Sequence, residues 1–116
     1  MEADEIVSID TNVLIRFLVV DDNEEQCQAA LRIFQKNTVF IPETVLLEAE
    51  WVLRAAYEIS RNEIHQALLN LMRIPKVRFP DRKIALQVLE LYCQGLDFAD
   101  AWHLARSEDN PLKTFD

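Results

Sequence analysis

Five acidic side chains in this sequence could bind a metal ion if the fold brings them together. Each follows a predicted strand or lies in a predicted helix: Asp10, Glu48, Asp97, Asp100 and Asp116. Carboxylates within about 4–6 Å of one another oppose ionisation, so such a cluster needs a countercharge. All-oxygen ligands suit hard divalent ions such as Mg²⁺ or Mn²⁺, which also bind phosphate groups. The residue types therefore indicate a site for a hard divalent cation.

Alternating strands and helices must position these acids. Short apolar or β-branched runs predict strands at residues 6–9, 38–41, 77–79 and 112–115. Between them, helical patterns predict helices at residues 12–20, 23–36, 44–58, 60–73, 81–94 and 97–107. The expected caps include Asp22 or Asn23 for the second helix, Ser60 for the fourth and Asp81 for the fifth. This order predicts an α/β fold with a parallel sheet of about four short strands, the first of them buried. Ligands bind beyond the carboxyl ends of such strands, where Asp10 and Asp116 fall.

Two glutamates compete for a role in the helix at residues 44–58, which Thr44 is expected to cap. Glu48 and Glu50 flank its apolar face on opposite sides, so a helical wheel does not choose between them. Glu50 has Arg54 four residues on, which predicts a surface ion pair and explains Glu50 without a functional role. Glu48 has no local cation. We therefore favour Glu48 as the site acid, against the alternative of an ordinary solvated glutamate.

Asp97 and Asp100 lie three residues apart near the start of the last predicted helix. Asp97 also suits the capping position of that helix, and Asp100 suits the positive end of the helix dipole. Either residue alone is therefore explained by local structure. Their position beside the other acids makes them candidates for the same carboxylate cluster.

Composition excludes several classes of protein. The chain has 116 residues, enough for one domain, and half of them are hydrophobic. A single glycine excludes a glycine-rich phosphate loop, and two cysteines are too few for a disulfide scaffold or a zinc site. No apolar run approaches the roughly 20 residues of a membrane span, and the acidic start does not resemble a signal peptide. We therefore expect a cytoplasmic protein without membrane association.

Charge is distributed unevenly in a chain whose formal net charge is −8. The first 25 residues hold eight acids and one base, whereas residues 73–83 hold five bases and one acid. Arg82 and Lys83 are predicted in the first turn of a helix, where the helix dipole disfavours cations. This cluster is the best candidate for contact with phosphate, although a solvated charged surface is the commoner explanation of such a cluster.

Four segments, in order, resemble the motifs of the PIN-domain family, most closely the VapC-like toxin ribonucleases of toxin–antitoxin pairs. They are residues 9–14 (IDTNVL), 42–53 (PETVLLEAEWVL), 97–101 (DFADA) and 114–116 (TFD). The resemblance spans essentially the whole chain. It implies one PIN-like domain over residues 1–116, with a three-layer α/β/α fold that lacks the family's final strand.

The same resemblance implies a metal-dependent endoribonuclease. Asp10, Glu48 and Asp100 would hold Mg²⁺ or Mn²⁺, with Asp97 and Asp116 binding through water or sharing a second ion. Asn12 and Thr114 would orient ligands or water. A backbone cap is the alternative role for each of these two polar residues.

The resemblance also suggests partners, namely an RNA substrate and a cognate antitoxin that offers Arg or Lys to the acids. We expect Arg82 and Lys83 to contact the RNA backbone. Leu47 and Trp51 lie opposite the apolar face of their helix, so we expect another helix of the domain, a homodimer partner or, as the resemblance suggests, the antitoxin to cover them. The alternative function is a catalytically impaired PIN module that binds RNA or protein without cleavage. A haloacid-dehalogenase-type phosphotransferase would require an acid at position 12, which is Asn here.

Overall fold

The computed structural model describes residues 5–19, 23–107, 110–113 and 115. Within these ranges, three parallel strands form one sheet in the order β1-β2-β3: β1 is Ile6–Ser8, β2 is Thr38–Phe40 and β3 is Val77–Arg78. Val39 of β2 pairs with Val7 on one side and Val77 on the other. All three strands end at the same edge of the sheet, which is where a ligand site is expected.

Six helices accompany the sheet in the described part of the chain. Their bounds are α1 Thr11–Leu18, α2 Glu24–Lys36, α3 Glu43–Ala55, α4 Arg61–Met72, α5 Arg82–Cys93 and α6 Phe98–Arg106. The mixed α/β class and the parallel sheet predicted from the sequence are confirmed. Within the described ranges, the helices are too short or too polar to span a lipid bilayer.

Side-chain caps determine where four of these helices begin. Asp10, Asn23, Ser60 and Asp81 each accept a hydrogen bond, 3.0–3.2 Å long, from the backbone N–H three residues further on. Such caps satisfy a backbone N–H that lacks a partner within the helix. The prediction for Thr44 was wrong, because α3 begins one residue earlier, after Pro42, without a side-chain cap.

Two predictions about strands require correction. The first strand is not buried, since Ile6 is 69% exposed and Ser8 is also exposed. β1 is an outer strand of the described sheet, so Val7 is its only side chain that packs against the core, together with Ile9 just after the strand. The predicted strand at residues 112–115 is absent at Leu112, Lys113 and Phe115, which are exposed, while Thr114 lies outside the described residues.

Helix α3 occupies a central place because it packs against α1, α4 and α6. Its buried side chains include Ala49 and Leu53, which are at most 1% exposed. Leu47 is half-buried against the core, so the expectation that the domain itself covers Leu47 and Trp51 holds only for Leu47. Trp51 remains 60% exposed, so the helices of this chain cover only part of that surface.

Candidate active site

Asp10 and Glu48 are brought to one place by the contact between α1 and α3. Asp10 follows β1, and its carboxylate caps α1 through the Val13 N–H at 3.0 Å. The next residue, Thr11, donates its hydroxyl hydrogen bond to Glu48 Oε1 at 3.1 Å. Asp10 and Glu48 are both exposed to solvent at this point. The contact therefore places two predicted site acids beside the carboxyl end of β1.

Glu50 points away from this site and is the only buried charged side chain among the described residues, with 3% exposure. It accepts hydrogen bonds from Arg54 Nε at 2.9 Å and from the Tyr92 hydroxyl of α5 at 2.9 Å. The predicted Glu50–Arg54 ion pair exists, but its description as a surface pair was wrong, because α5 covers the carboxylate. This structural role leaves Glu48 as the acid of α3 that faces solvent near Asp10.

The Glu50 carboxylate affects the acidity of its two neighbours. Burial is the main cause that raises the pKa of the Tyr92 hydroxyl, and its hydrogen bond to Glu50 raises that pKa further. The hydrogen bond to Glu50 also raises the pKa of the Arg54 guanidinium. Tyr92 is therefore held neutral and Arg54 cationic, which matches the single negative charge between them.

The contacts between α3 and α6 indicate that the two helices run antiparallel. At one end, Arg106 of α6 forms an ion pair with Glu43 of α3. At the other end, the pKa of the Arg54 guanidinium is raised chiefly by Glu50, and Asp97 at the start of α6 is the smallest contributor. With a rise of about 1.5 Å per residue, these two pairings put Asp100 and Glu48 within about one helical turn along the axis.

The carboxylates of Asp97 and Asp100, at the start of α6, are both accessible to a ligand. Asp97 occupies the N-cap position, but its side chain makes no capping hydrogen bond. Asp100 lies in the first turn, and both carboxylates are exposed. The alternative explanation of Asp97 as a simple helix cap is therefore not supported by its contacts.

The turn that leads into α6 is fixed by Arg61 and Gly95. Arg61 Nη1 donates hydrogen bonds to the carbonyl oxygens of Tyr92 at 2.9 Å and Leu96 at 2.6 Å, and its guanidinium lies 4.6 Å from the centre of the Tyr92 ring. Gly95 has φ +114°, a conformation that residues with a side chain rarely adopt. These features set where α6 begins, and hence where Asp97 and Asp100 lie.

The donor chemistry of these acids fits a hard divalent cation. Asp10, Glu48, Asp97 and Asp100 offer only oxygen, and none of them forms a salt bridge with any described residue. Within the described ranges, however, no three Asp, Glu, His or Cys side chains already form a group that could hold a metal ion. Asp116 and Thr114, the other two predicted contributors, lie outside the described residues.

Asp10 opens onto two clefts, which share Asp10, Val13 and Ile33 as lining residues. One cleft, of about 240 Å³, also contains Asn12 and lies between α1 and α2. The other, of about 340 Å³, lies beside β1 and reaches Asn37. Asn12 is exposed in the first turn of α1, where it can reach a ligand that enters the first cleft.

Arg82 and Lys83 begin α5, as predicted, and both are exposed. Arg82 also donates a hydrogen bond to the Met72 carbonyl oxygen, an interaction that the sequence did not indicate. Sequence reasoning likewise missed Thr11 and the Glu43–Arg106 pair. The polar run Asp10-Thr11-Asn12 at a strand end was a usable signal for Thr11. The sequence offered no signal for the ion pair, because its two residues are 63 positions apart.

An α/β domain with a parallel sheet and exposed acids at its carboxyl edge belongs to the class of folds that bind their ligands at that edge. The family comparison is consistent with that class, since the PIN domain matches residues 7–115. The chain therefore belongs to the PIN-domain family, whose members are generally nucleases of the hydrolase class and typically use divalent metal ions. No significant match was found among curated proteins or solved structures.

Proposed function

We propose that this protein is a metal-dependent endoribonuclease that hydrolyses RNA phosphodiester bonds. The observation that carries the proposal is the hydrogen bond from Thr11 to Glu48, which joins the strand end bearing Asp10 to the solvent-facing acid of α3. Because α6 packs antiparallel to α3, Asp100 lies within about one helical turn of Glu48 along the helix axis. These three acids would hold Mg²⁺ or Mn²⁺.

The remaining predicted residues assist this set. When bound, the ion lowers the pKa of a water molecule and offsets negative charge on the phosphate. Asp97 and Asp116 would bind through water or share a second ion, and Asn12 and Thr114 would orient water or substrate. Hydrolysis would leave a 3′-hydroxyl and a 5′-phosphate. The two clefts beside Asp10 lie next to α2 and would give space to RNA nucleotides adjacent to the reacting phosphate.

We further propose that the nuclease is the cytoplasmic toxin of a toxin–antitoxin pair, similar to the VapC-like toxins. Asp10, Glu48 and Asp100 are exposed acids that form no salt bridge with any described residue, which suits an antitoxin segment that carries Arg or Lys. Trp51, 60% exposed on α3, suits a homodimer interface. Light scattering of wild type and Trp51→Glu tests the dimer, which the variant should convert to monomer.

RNA cleavage by purified protein with and without Mg²⁺ or Mn²⁺ tests the proposed activity. The expected result is cleavage that requires the metal and is lost in Asp10→Asn and Asp100→Asn. The matched control is Glu25→Gln, which neutralises an exposed acid of α2 and should cleave like wild type. RNA binding without cleavage by the wild type would instead establish the alternative, an impaired PIN module.

A further inference from the structure

A second concave surface lies at the edge of β3, away from the acidic site. It is a groove of about 320 Å³ between the end of α4, β3 and the start of α5. Its lining residues include three arginines and one aromatic side chain: Arg73, Arg78, Arg82 and Phe79. We call this surface the arginine groove. Its volume is that of a small ligand site, and its positive charge contrasts with the net charge of −8 on the whole chain.

Two of the arginines are held in place by the backbone. Arg78 donates a hydrogen bond to the Pro75 carbonyl oxygen, and Arg82 donates one to the Met72 carbonyl oxygen. A guanidinium has five N–H donors, so each side chain keeps donors for a ligand after making this hydrogen bond. Arg73 is exposed and completes the positive lining of the groove.

One acid, Asp81, lies within residues 73–83. Its carboxylate caps α5 by accepting the Ile84 N–H at 3.1 Å. Within the described residues, no salt bridge joins Arg73, Arg78 or Arg82 to an acid. Arginines that are held in a concave surface without acidic partners suit planar, bidentate contacts with phosphate.

The register of the sheet relates the arginine groove to the acidic site. Arg78 pairs with Phe40, which pairs with Ser8 two residues before Asp10. The three residues therefore form one row across the sheet, and the ends of β1 and β3 are separated by two strand spacings, roughly 10 Å. A single polynucleotide strand that crosses the carboxyl edge of the sheet can reach both places.

From this geometry we infer that the arginine groove binds backbone phosphates of single-stranded RNA outside the reacting phosphodiester, an inference that rests on the proposed ribonuclease function. Phe79 is half-buried in the lining and offers an apolar ring for contact with a neighbouring base. The groove thus extends the RNA-binding surface beyond Arg82 and Lys83 to include Arg73 and Arg78.

Salt-dependent RNA binding tests this inference without requiring cleavage. The protein carries Asp10→Asn, and fluorescence anisotropy measures its affinity for a labelled 20-nucleotide single-stranded RNA. Adding Arg73→Glu and Arg78→Glu should weaken binding by about tenfold or more at 0.1 M salt. The slope of log affinity against log salt should become shallower by about 0.7 for each phosphate that the variant no longer neutralises.

The matched control is the pair Arg32→Glu and Lys36→Glu, which makes the same change of charge on the exposed surface of α2. Affinity and salt slope should stay close to those of the Asp10→Asn parent. Equal losses of affinity in the groove pair and the control pair would overturn the inference, because they would report net charge alone. Unchanged affinity in the groove pair would also overturn it and would leave the groove as a candidate surface for a protein partner.

Circular dichroism and thermal unfolding show whether the groove pair still folds. If the groove pair does not fold, the single variant Arg73→Glu replaces it in the binding assay. The Arg73 side chain is exposed and, unlike Arg78 and Arg82, is not one of the arginines that donate a hydrogen bond to a backbone carbonyl oxygen here. Its affinity should fall by several-fold, and no fall would contradict the inference. The two proposals are tested by different measurements. Absence of metal-dependent cleavage by wild type would refute the proposed function, whereas RNA affinity tests the arginine groove.

Discussion

Glu48 and Glu50 lie two residues apart on α3 and have opposite environments. Glu48 is exposed and accepts a hydrogen bond from Thr11, whereas Glu50 is 3% exposed and accepts hydrogen bonds from Arg54 and Tyr92. Replacing each of the two glutamates by glutamine therefore distinguishes an effect on activity from an effect on stability.

Glu48→Gln should abolish RNA cleavage and change the free energy of unfolding by no more than about 0.5 kcal/mol, because the site is exposed. Glu50→Gln should keep the acids of the site but destabilise the fold by about 1–3 kcal/mol, since a buried hydrogen-bonded charge is removed. Urea unfolding and RNA cleavage assays measure the two effects. Strong destabilisation by Glu48→Gln with full activity would contradict the assignment.

Asp10 combines a structural and a chemical role, and two substitutions distinguish them. Asparagine caps a helix about as well as aspartate, whereas alanine removes the cap and costs about 1 kcal/mol. Asp10→Asn should therefore unfold at the same urea concentration as wild type, and Asp10→Ala at a lower one. Both variants should lose cleavage. Cleavage retained by Asp10→Asn would show that the residue serves only as the cap of α1.

Local signals in the sequence predicted most of the fold because capping depends on a few neighbouring residues. Asn23, Ser60 and Asp81 cap helices as expected. The prediction of a strand at 112–115 was wrong because strand formation, unlike capping, depends on distant residues. Apolar residues such as Leu112 and Phe115 form a strand only where a neighbouring strand pairs with them. Pairing is a long-range property that composition does not reveal.

The candidate site was predictable in part. The rule about strand ends located Asp10, and the lack of a local cation favoured Glu48, which does lie near Asp10. The burial of Glu50 was not predictable, because a helical wheel describes one helix and the covering residue, Tyr92, is 42 positions away. The roles proposed for all five acids, Asp10, Glu48, Asp97, Asp100 and Asp116, remain predictions.

Metal binding should stabilise the fold, because an ion that binds only the folded state shifts the unfolding equilibrium. Mg²⁺ or Mn²⁺ at one hundred times its Kd should add about 2.7 kcal/mol to the free energy of unfolding. Thermal unfolding with and without metal measures the gain, which Asp10→Asn and Asp100→Asn should lose and Glu25→Gln should keep. No gain in wild type would mean that these acids do not assemble into a metal site.

Tyr92 should make the protein sensitive to alkaline pH. Its pKa in the folded state is raised by burial and then by the Glu50 carboxylate, whereas an unfolded tyrosine titrates near pH 10. Above about pH 10 the unfolded state therefore binds fewer protons than the folded state, so stability that is complete at lower pH falls as pH rises. The decline approaches about 1.4 kcal/mol per pH unit for one such group.

Substitutions isolate this contribution from that of other groups that titrate at alkaline pH. Urea midpoints measured from pH 8 to 11 should fall less steeply for Tyr92→Phe than for wild type, because phenylalanine has no proton to lose. Glu50→Gln should give an intermediate slope, since it removes the carboxylate but leaves the tyrosine buried. If wild type and Tyr92→Phe decline in parallel, the buried hydroxyl is not the group that links stability to pH, and the hydrogen bond between Tyr92 and Glu50 contributes equally across that pH range.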